Sequence, residues 1–283
     1  MSWQVYTAIC VLGLSVSIIL QRILLRNHKT DPVAYSVLFQ LFVAAILLVV
    51  ALATGFSLSG IGDVWRIALA CIVLYGIGTV VYAKTLQRVE ASVFSMLFAT
   101  HAIWVMALGL LFFNESLTIL QIVGSVLLFI SVGMLVKDVT KIYRDKGTIY
   151  GLTTGVIYGF AVTGWAYVGR EVDTITWAAV SFVGSAFISF LISPRSYKKM
   201  APLLRGDVAA KMLLLAVFYS IGSLAMLLAY KYGTLSLVSP LRQTGIIVTT
   251  LLALVLLAQE RNRIVIKIVA ACISFAGVLL LTI

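Results

Sequence analysis

Two stretches set one above the other decide the architecture: VFSMLFATHAIWVMALGLLFFNE at residues 93–115 and VSPLRQTGIIVTTLLALVLLAQE at residues 238–260. Each is a continuous apolar run closed by a glutamate. Each is long enough for a helix to cross a bilayer core, which takes about 20 residues. Working outward from them, one set of landmarks recurs. The first half reads Gly76, Ala83, Ser95, Glu115, Gly133, and the second reads Gly222, Ala229, Pro240, Glu260, Gly277. The steps are 7, 12, 20 and 18 against 7, 11, 20 and 17. This agreement predicts an internal repeat, 1–145 and 146–283, joined in the polar stretch Lys137–Lys146.

Composition places the repeat in a membrane. Of 283 residues, 62% are apolar and 11% charged, and the mean hydropathy is +1.11. A soluble domain carries about 45–50% apolar and about 25% charged residues, so a soluble enzyme, a disordered chain and a disulfide scaffold are excluded. The net charge of +11 then belongs to loops at a lipid surface and not to nucleic-acid binding. Only helices or closed barrels span lipid, and runs without alternation are helices. Ten are predicted: Trp3–Leu25, Pro32–Thr54, Val64–Gln87, Ala91–Phe113, Thr118–Val136, Thr148–Gly169, Thr174–Ile192, Val208–Tyr230, Leu235–Ala258 and Arg263–Thr282. The first lacks a basic n-region and a small-residue cleavage site, so it reads as retained and not as a signal peptide. Cys10, Cys71 and Cys272 are scattered inside apolar spans, which gives neither metal spacing nor a disulfide framework.

Five helices per half is an odd number, so the second half must enter the bilayer upside down. The predicted fold is an all-α membrane protein of ten transmembrane helices in two inverted five-helix repeats. Inverted repeats that meet near the midplane are the plan of secondary transporters.

The run FFNESLTILQIVGSVLLFISVGMLV (residues 112–136) resembles the Glu-x-Leu-Thr-x-x-Gln-x-x-Gly…Gly-Val signature of EamA-type carriers in the drug/metabolite transporter superfamily. SLVSPLRQTGIIVTTLLALVLLAQE (residues 236–260) resembles the same family's proline followed twenty residues later by glutamate. Ser95 stands where that family often has proline. RNRIVIK replaces the expected Leu-Thr after Glu260, so the second half is the more diverged. The resemblance implies ten helices and transport of small metabolites, or export of amino acids and drugs.

Charge gives an orientation. The loops after the odd-numbered spans hold 17 of the 21 Lys and Arg residues, in five groups running from Arg22 to Lys267. The opposite loops hold 3: Arg66, Arg170 and Lys231. By the positive-inside rule the 17-charge side is cytoplasmic and both termini lie outside, across a plasma (cell inner) membrane. The resembled family usually places both termini inside, although its superfamily has members of either orientation; the reading here follows the charge.

The remaining basic residue, Arg242, falls inside the ninth span. Arginine at such depth costs about 2.5 kcal/mol or more and usually faces protein or a wet cavity. One reading has it snorkel, or cap carbonyls freed by Pro240. The other makes it the cation that binds a substrate carboxylate or phosphate, with Gln243 adding neutral hydrogen bonds. All ten acids lie in loops or at helix ends, which disfavours an exporter of cationic drugs. His101, near the centre of the fourth span, either hydrogen-bonds a neighbouring helix or lines the cavity and carries the coupled proton. Tyr158, Trp104 and Trp165 are packing residues or cavity walls. Tyr82, Tyr167 and Tyr230, near span ends, read as interface-belt anchors. Gly76, Gly78 and Gly222 allow close helix packing, or with Pro240 form hinges. Glu115 and Glu260 read as caps for the spans that follow.

The predicted function is a secondary transporter of an amino acid, organic anion or similar metabolite, working by alternating access. No nucleotide motif, cofactor signature or metal cluster is seen, and no His/Asp/Glu/Cys cluster suits a membrane enzyme. The alternatives are a drug or cation exporter and a non-transporting scaffold. The expected partners are the lipid bilayer and a small solute. One chain holds both halves, so a monomer suffices and a homodimer is equally compatible.

Overall fold

The computed structural model describes residues 2–26, 30–101, 103–104, 107–108, 118–135, 145–232, 242, 244–257, 259 and 263–281. Among these, the helices are α1 (Trp3–Leu25), α2 (Pro32–Thr54), α3 (Ile61–Arg88), α4 (Ala91–Ala99), α5 (Ile119–Leu135), α6 (Lys146–Glu171), α7 (Thr174–Ile192), α8 (Gly206–Tyr232), α9 (Gly245–Leu256) and α10 (Ile264–Leu281). Two short 3₁₀ turns, Pro194–Lys199 and Ala201–Leu204, join α7 to α8. Five helices (α1, α2, α3, α7 and α8) are long and apolar enough to cross a membrane, and the described parts of α5, α9 and α10 are shorter apolar helices.

Local chemistry sets several starts. Asp31, Asp145 and Asp173 accept from backbone amides opening α2, α6 and α7, which satisfies donors that no helix carbonyl can reach. Pro32 follows Asp31 where its missing N–H costs nothing. Gly60 opens α3 at φ 84°, and its ideal Cβ would stand 2.6 Å from the Glu171 carbonyl oxygen. Only glycine fits that turn.

The helices pair α1 with α8, α3 with α6, α2 with α7, α5 with α10 and α4 with α9. One large buried cluster joins α1, α2, α3, α6, α7 and α8, with Phe94 and Leu97 of α4. A smaller one joins α4, α5, α9 and α10 through Met96, Leu128, Ile246 and Ala270. The outer surface is apolar instead of charged: Ile119 is 79% exposed, Val265 72% and Val49 68%. Side chains of that kind in that number need lipid around them. The interior is correspondingly polar, with Gln21, Gln40, Thr79, Thr85 and Ser189 all buried.

Contacts between loops identify the two ends of the bundle. At one end Gln87 donates to the Thr30 carbonyl at 2.6 Å and Lys199 pairs with Asp31 at 2.7 Å. There also the Arg88 guanidinium lies 5.0 Å from the Tyr150 ring and Arg263 donates to the Met134 carbonyl. At the other end the Ser57 amide donates to Thr176 Oγ1 at 3.2 Å, and Tyr6 stacks on Tyr232. The described basic residues of the 17-charge set therefore share one end. Lys267, which the sequence placed in the preceding loop, sits instead in the first turns of α10, where it is buried and ion-paired with Glu90. Glu90 is the residue before α4 and leaves the helix amides uncapped; its carboxylate meets Lys267.

Candidate functional site

Hydroxyl and amide side chains form two groups of hydrogen bonds within the large cluster, one around Gln21 and one around Gln40. The Gln21 amide donates to Ser17 (3.2 Å) and to the Tyr82 hydroxyl (3.4 Å), while Tyr35 donates to Gln21 Oε1 (3.0 Å). Gln40 donates to Thr79 (2.9 Å) and accepts from Ser189 (2.9 Å), and Thr79 lies 3.3 Å from the Tyr158 hydroxyl. Buried polar groups of this kind persist only where partners satisfy them. Tyr82, expected at a membrane interface, is 9% exposed. It packs edge-on against Phe94 at 4.4 Å, because its hydroxyl is held inside by Gln21.

Beside this network lies a small cavity of about 30 Å³, walled by Tyr75 of α3, Trp165 of α6, Ser181, Phe182 and Ser185 of α7, and Tyr219, Ser223 and Met226 of α8. The indole N–H of Trp165 donates to Ser181 Oγ at 3.2 Å. Tyr219 is wedged edge-on between Phe39 (5.0 Å) and Phe182 (5.8 Å). The walls thus combine four aromatic rings, two of them phenols, with three serine hydroxyls and a thioether, and no carboxylate among the described residues.

Arg242 stands just ahead of α9 and is half-buried. Its Nη1 approaches Met226 Sδ at 3.7 Å, and its Nη2 lies 3.4 Å from His101 Nε2. It also acts electrostatically on Cys10 of α1 and Tyr75 of α3. His101 is 4% exposed, with Nδ1 2.8 Å from the Phe98 carbonyl oxygen and its ring tilted on Phe98 at 4.9 Å. The carbonyl can only accept, so Nδ1 carries the proton. Nε2 then offers a lone pair to the guanidinium. In that placement the neutral ring is an acceptor for the guanidinium.

The structure therefore brings Arg242, His101 and Trp165 to one region. Tyr158 stands one shell behind, edge-on to Tyr75 (5.4 Å) and Phe98 (5.2 Å). Trp104 is not brought there: it is 37% exposed and packs toward Phe160 on the outer face. Gln243, Pro240, Glu115 and Glu260 lie outside the described residues. Gly76, Gly78 and Gly222 lie at helix contacts: an ideal Cβ would meet Ile188 at 2.6 Å, Ile157 at 2.9 Å and Leu14 at 3.0 Å respectively. The wall residues Ser181, Ser185, Ser223 and Met226 carry no sequence signal, since serine and methionine in apolar helices ordinarily pack. Tyr75 and Tyr219 are cavity walls with no role assigned from sequence.

Among solved structures, a crystal structure of a protein 15% identical to this chain superposes with a TM-score of 0.62, with 97% of each chain covered. That likeness carries the fold. No curated protein matches the chain. The model of the EamA-like transporter family matches residues 1–137 and 145–283, almost the whole length and both halves of the predicted repeat. The chain therefore belongs to the EamA-like transporter family of the drug/metabolite transporter superfamily.

Proposed function

We propose that this transporter moves a small organic anion or zwitterion, such as an amino acid, by alternating access between two inverted repeats, 1–145 and 146–283. The observation that carries the reading is Arg242 beside His101 and Met226, at the edge of a cavity walled by helices of both halves. A guanidinium offers a forked set of donors suited to a carboxylate, and the aromatic walls suit an apolar solute portion. The repeat gains support from the packing pairs. Exchanging the halves turns α1–α8 into α6–α3 and maps α2–α7, α4–α9 and α5–α10 onto themselves, and all of these pairs occur. At about 30 Å³ the cavity holds no more than about two waters, so a solute enters only when the halves part. Membership in a transporter family speaks against an enzyme or a scaffold, and walls without carboxylates speak against lipophilic cations.

Counterflow in proteoliposomes tests this. Wild-type protein is expected to exchange an anionic or zwitterionic solute from a panel of amino acids, organic acids and sugar phosphates. Arg242→Gln is expected to lower that exchange by about tenfold or more, the worth of one hydrogen bond to a charged group. Flux of lipophilic cations alone, indifferent to Arg242, defeats the proposal.

A further inference from the structure

His101 and Arg242 are 141 residues apart in sequence and meet in the fold. The turn that presents His101 is tightened: Thr100 N–H donates to the Leu97 carbonyl and Ile103 N–H to the Thr100 carbonyl, each three residues back. Thr100 Oγ1 also donates to the Leu97 carbonyl at 2.7 Å. Gly155 and Gly159 let α6 close over this turn, since an ideal Cβ there would come within 2.3 Å of Thr100 Oγ1 and 2.4 Å of Trp104 Cβ. The ring is thus fixed on both sides, with its Nδ1 proton committed to Phe98 and its Nε2 lone pair turned toward the guanidinium.

We infer that His101 is a positioning residue for Arg242, and that protonating it turns Nε2 into a donor facing a cation, displaces the guanidinium and switches solute binding off. The inference rests on the proposed function for Arg242 and gives the histidine an opposite part to that of a coupling site. A proton carrier must load and unload in each cycle, whereas here the added proton inhibits. The groups facing this pair are Cys10 from α1, Tyr75 from α3, and Tyr158 from α6 across Phe98. The described carboxylates all lie at helix ends or in loops, so none of them reaches the ring to stabilise an imidazolium.

Two measurements on the full chain test this. The first uses His28→Asn protein, in which His101 is the sole histidine, labelled with nitrogen-15 and held in detergent micelles at pH 7.5. Its ring nitrogens should report a neutral imidazole with the proton on Nδ1. Arg242→Gln should release the ring into a mixture of both tautomers. A proton on Nε2 in the parent protein, or a spectrum unchanged by Arg242→Gln, overturns the inference whatever the transport result. The second is counterflow of a carbon-14-labelled mixture of L-amino acids from pH 8 down to pH 3.5, since burial and the Arg242 charge both oppose protonation of the ring. Wild type should lose activity toward the acid end. His101→Gln keeps an acceptor carbonyl and cannot titrate, so it should remain active with a flat profile. His101→Leu should fall by about tenfold at every pH, the cost of losing one hydrogen bond to a charged group. Acid inhibition that survives in His101→Gln refutes the switch. A wild type that moves none of the labelled mixture while showing the expected tautomer refutes the amino-acid reading and leaves the pairing standing.

Discussion

Asp31 divides one carboxylate between two tasks. Its Oδ1 accepts from the amides of Val33 and Ala34, each at 3.0 Å, and its Oδ2 accepts from Lys199. Burial works against its charge, but Lys199 and those amides outweigh it and hold the carboxyl below its ordinary value. A depressed folded value means that the stabilisation is complete above the unfolded carboxylate range, about 3.9, and is lost as pH falls through the folded value. Asp31→Ala should therefore cost about 1 kcal/mol at pH 7, the usual worth of an N-cap. The melting temperatures of wild type and variant in micelles should converge toward pH 3. A gap that persists at pH 3 contradicts the assignment. Because Lys199 is 65% exposed, the ion pair itself adds little, and Lys199→Ala should be the milder change.

At the scale of elements, glycines that look alike in sequence differ in what they allow. Gly76 lets α3 meet α7 so closely that an added Cβ would lie 2.6 Å from Ile188 Cβ and 2.8 Å from the Ser185 carbonyl. An ideal Cβ on Gly277 of α10 would stand 2.8 Å from the Gly124 carbonyl oxygen of α5, whereas one on Gly133 would meet nothing within 4 Å. Gly76→Ala should destabilise by about 1–3 kcal/mol, as overpacked interiors do. Gly133→Ala should be neutral or gain about 0.5–1 kcal/mol from helix propensity. Thermal unfolding of both variants checks this pair, and a destabilising Gly133→Ala would show that α5 has a neighbour there. The same scale explains how the chain after α4 brings His101 to Arg242. The regular part of α4 ends at Ala99, and the tight turn that follows aims His101 inward across α6.

For the whole molecule, the basic residues lie on loops and helix ends that the fold ties together at one end, from Arg88 on Tyr150 to Lys199 on Asp31. The ion pairs Lys199–Asp31 and Lys267–Glu90 each join one half of the chain to the other at that end. If that end is cytoplasmic, as the 17-to-3 distribution proposes, the C-terminus lies outside. Alkaline phosphatase fused after Ile283 should then be active in the periplasm of a bacterial host. A silent phosphatase with a fluorescent cytoplasmic reporter reverses the orientation and leaves the fold untouched.

Sequence alone determined the membrane setting and the positions of the long apolar helices, because both are written in one-dimensional quantities: hydropathy and run length. The helix ranges show how far that reaches. α1, α2 and α7 match the predicted ranges, while α3 begins three residues earlier because Gly60 supplies the turn. Arg242 and His101 were each singled out because polar side chains in apolar runs are rare and costly. That they touch was decided by the tertiary structure, since a contact across 141 residues follows from how α4, α8 and α9 pack and not from any local pattern. The same holds for Tyr82, whose position near a helix end suggested lipid interface until Gln21 drew its hydroxyl inward. It holds as well for Trp104, whose central position in sequence says nothing of the face it occupies. Hydropathy measures how buried a residue is on average, whereas direction around the helix axis is fixed by neighbours.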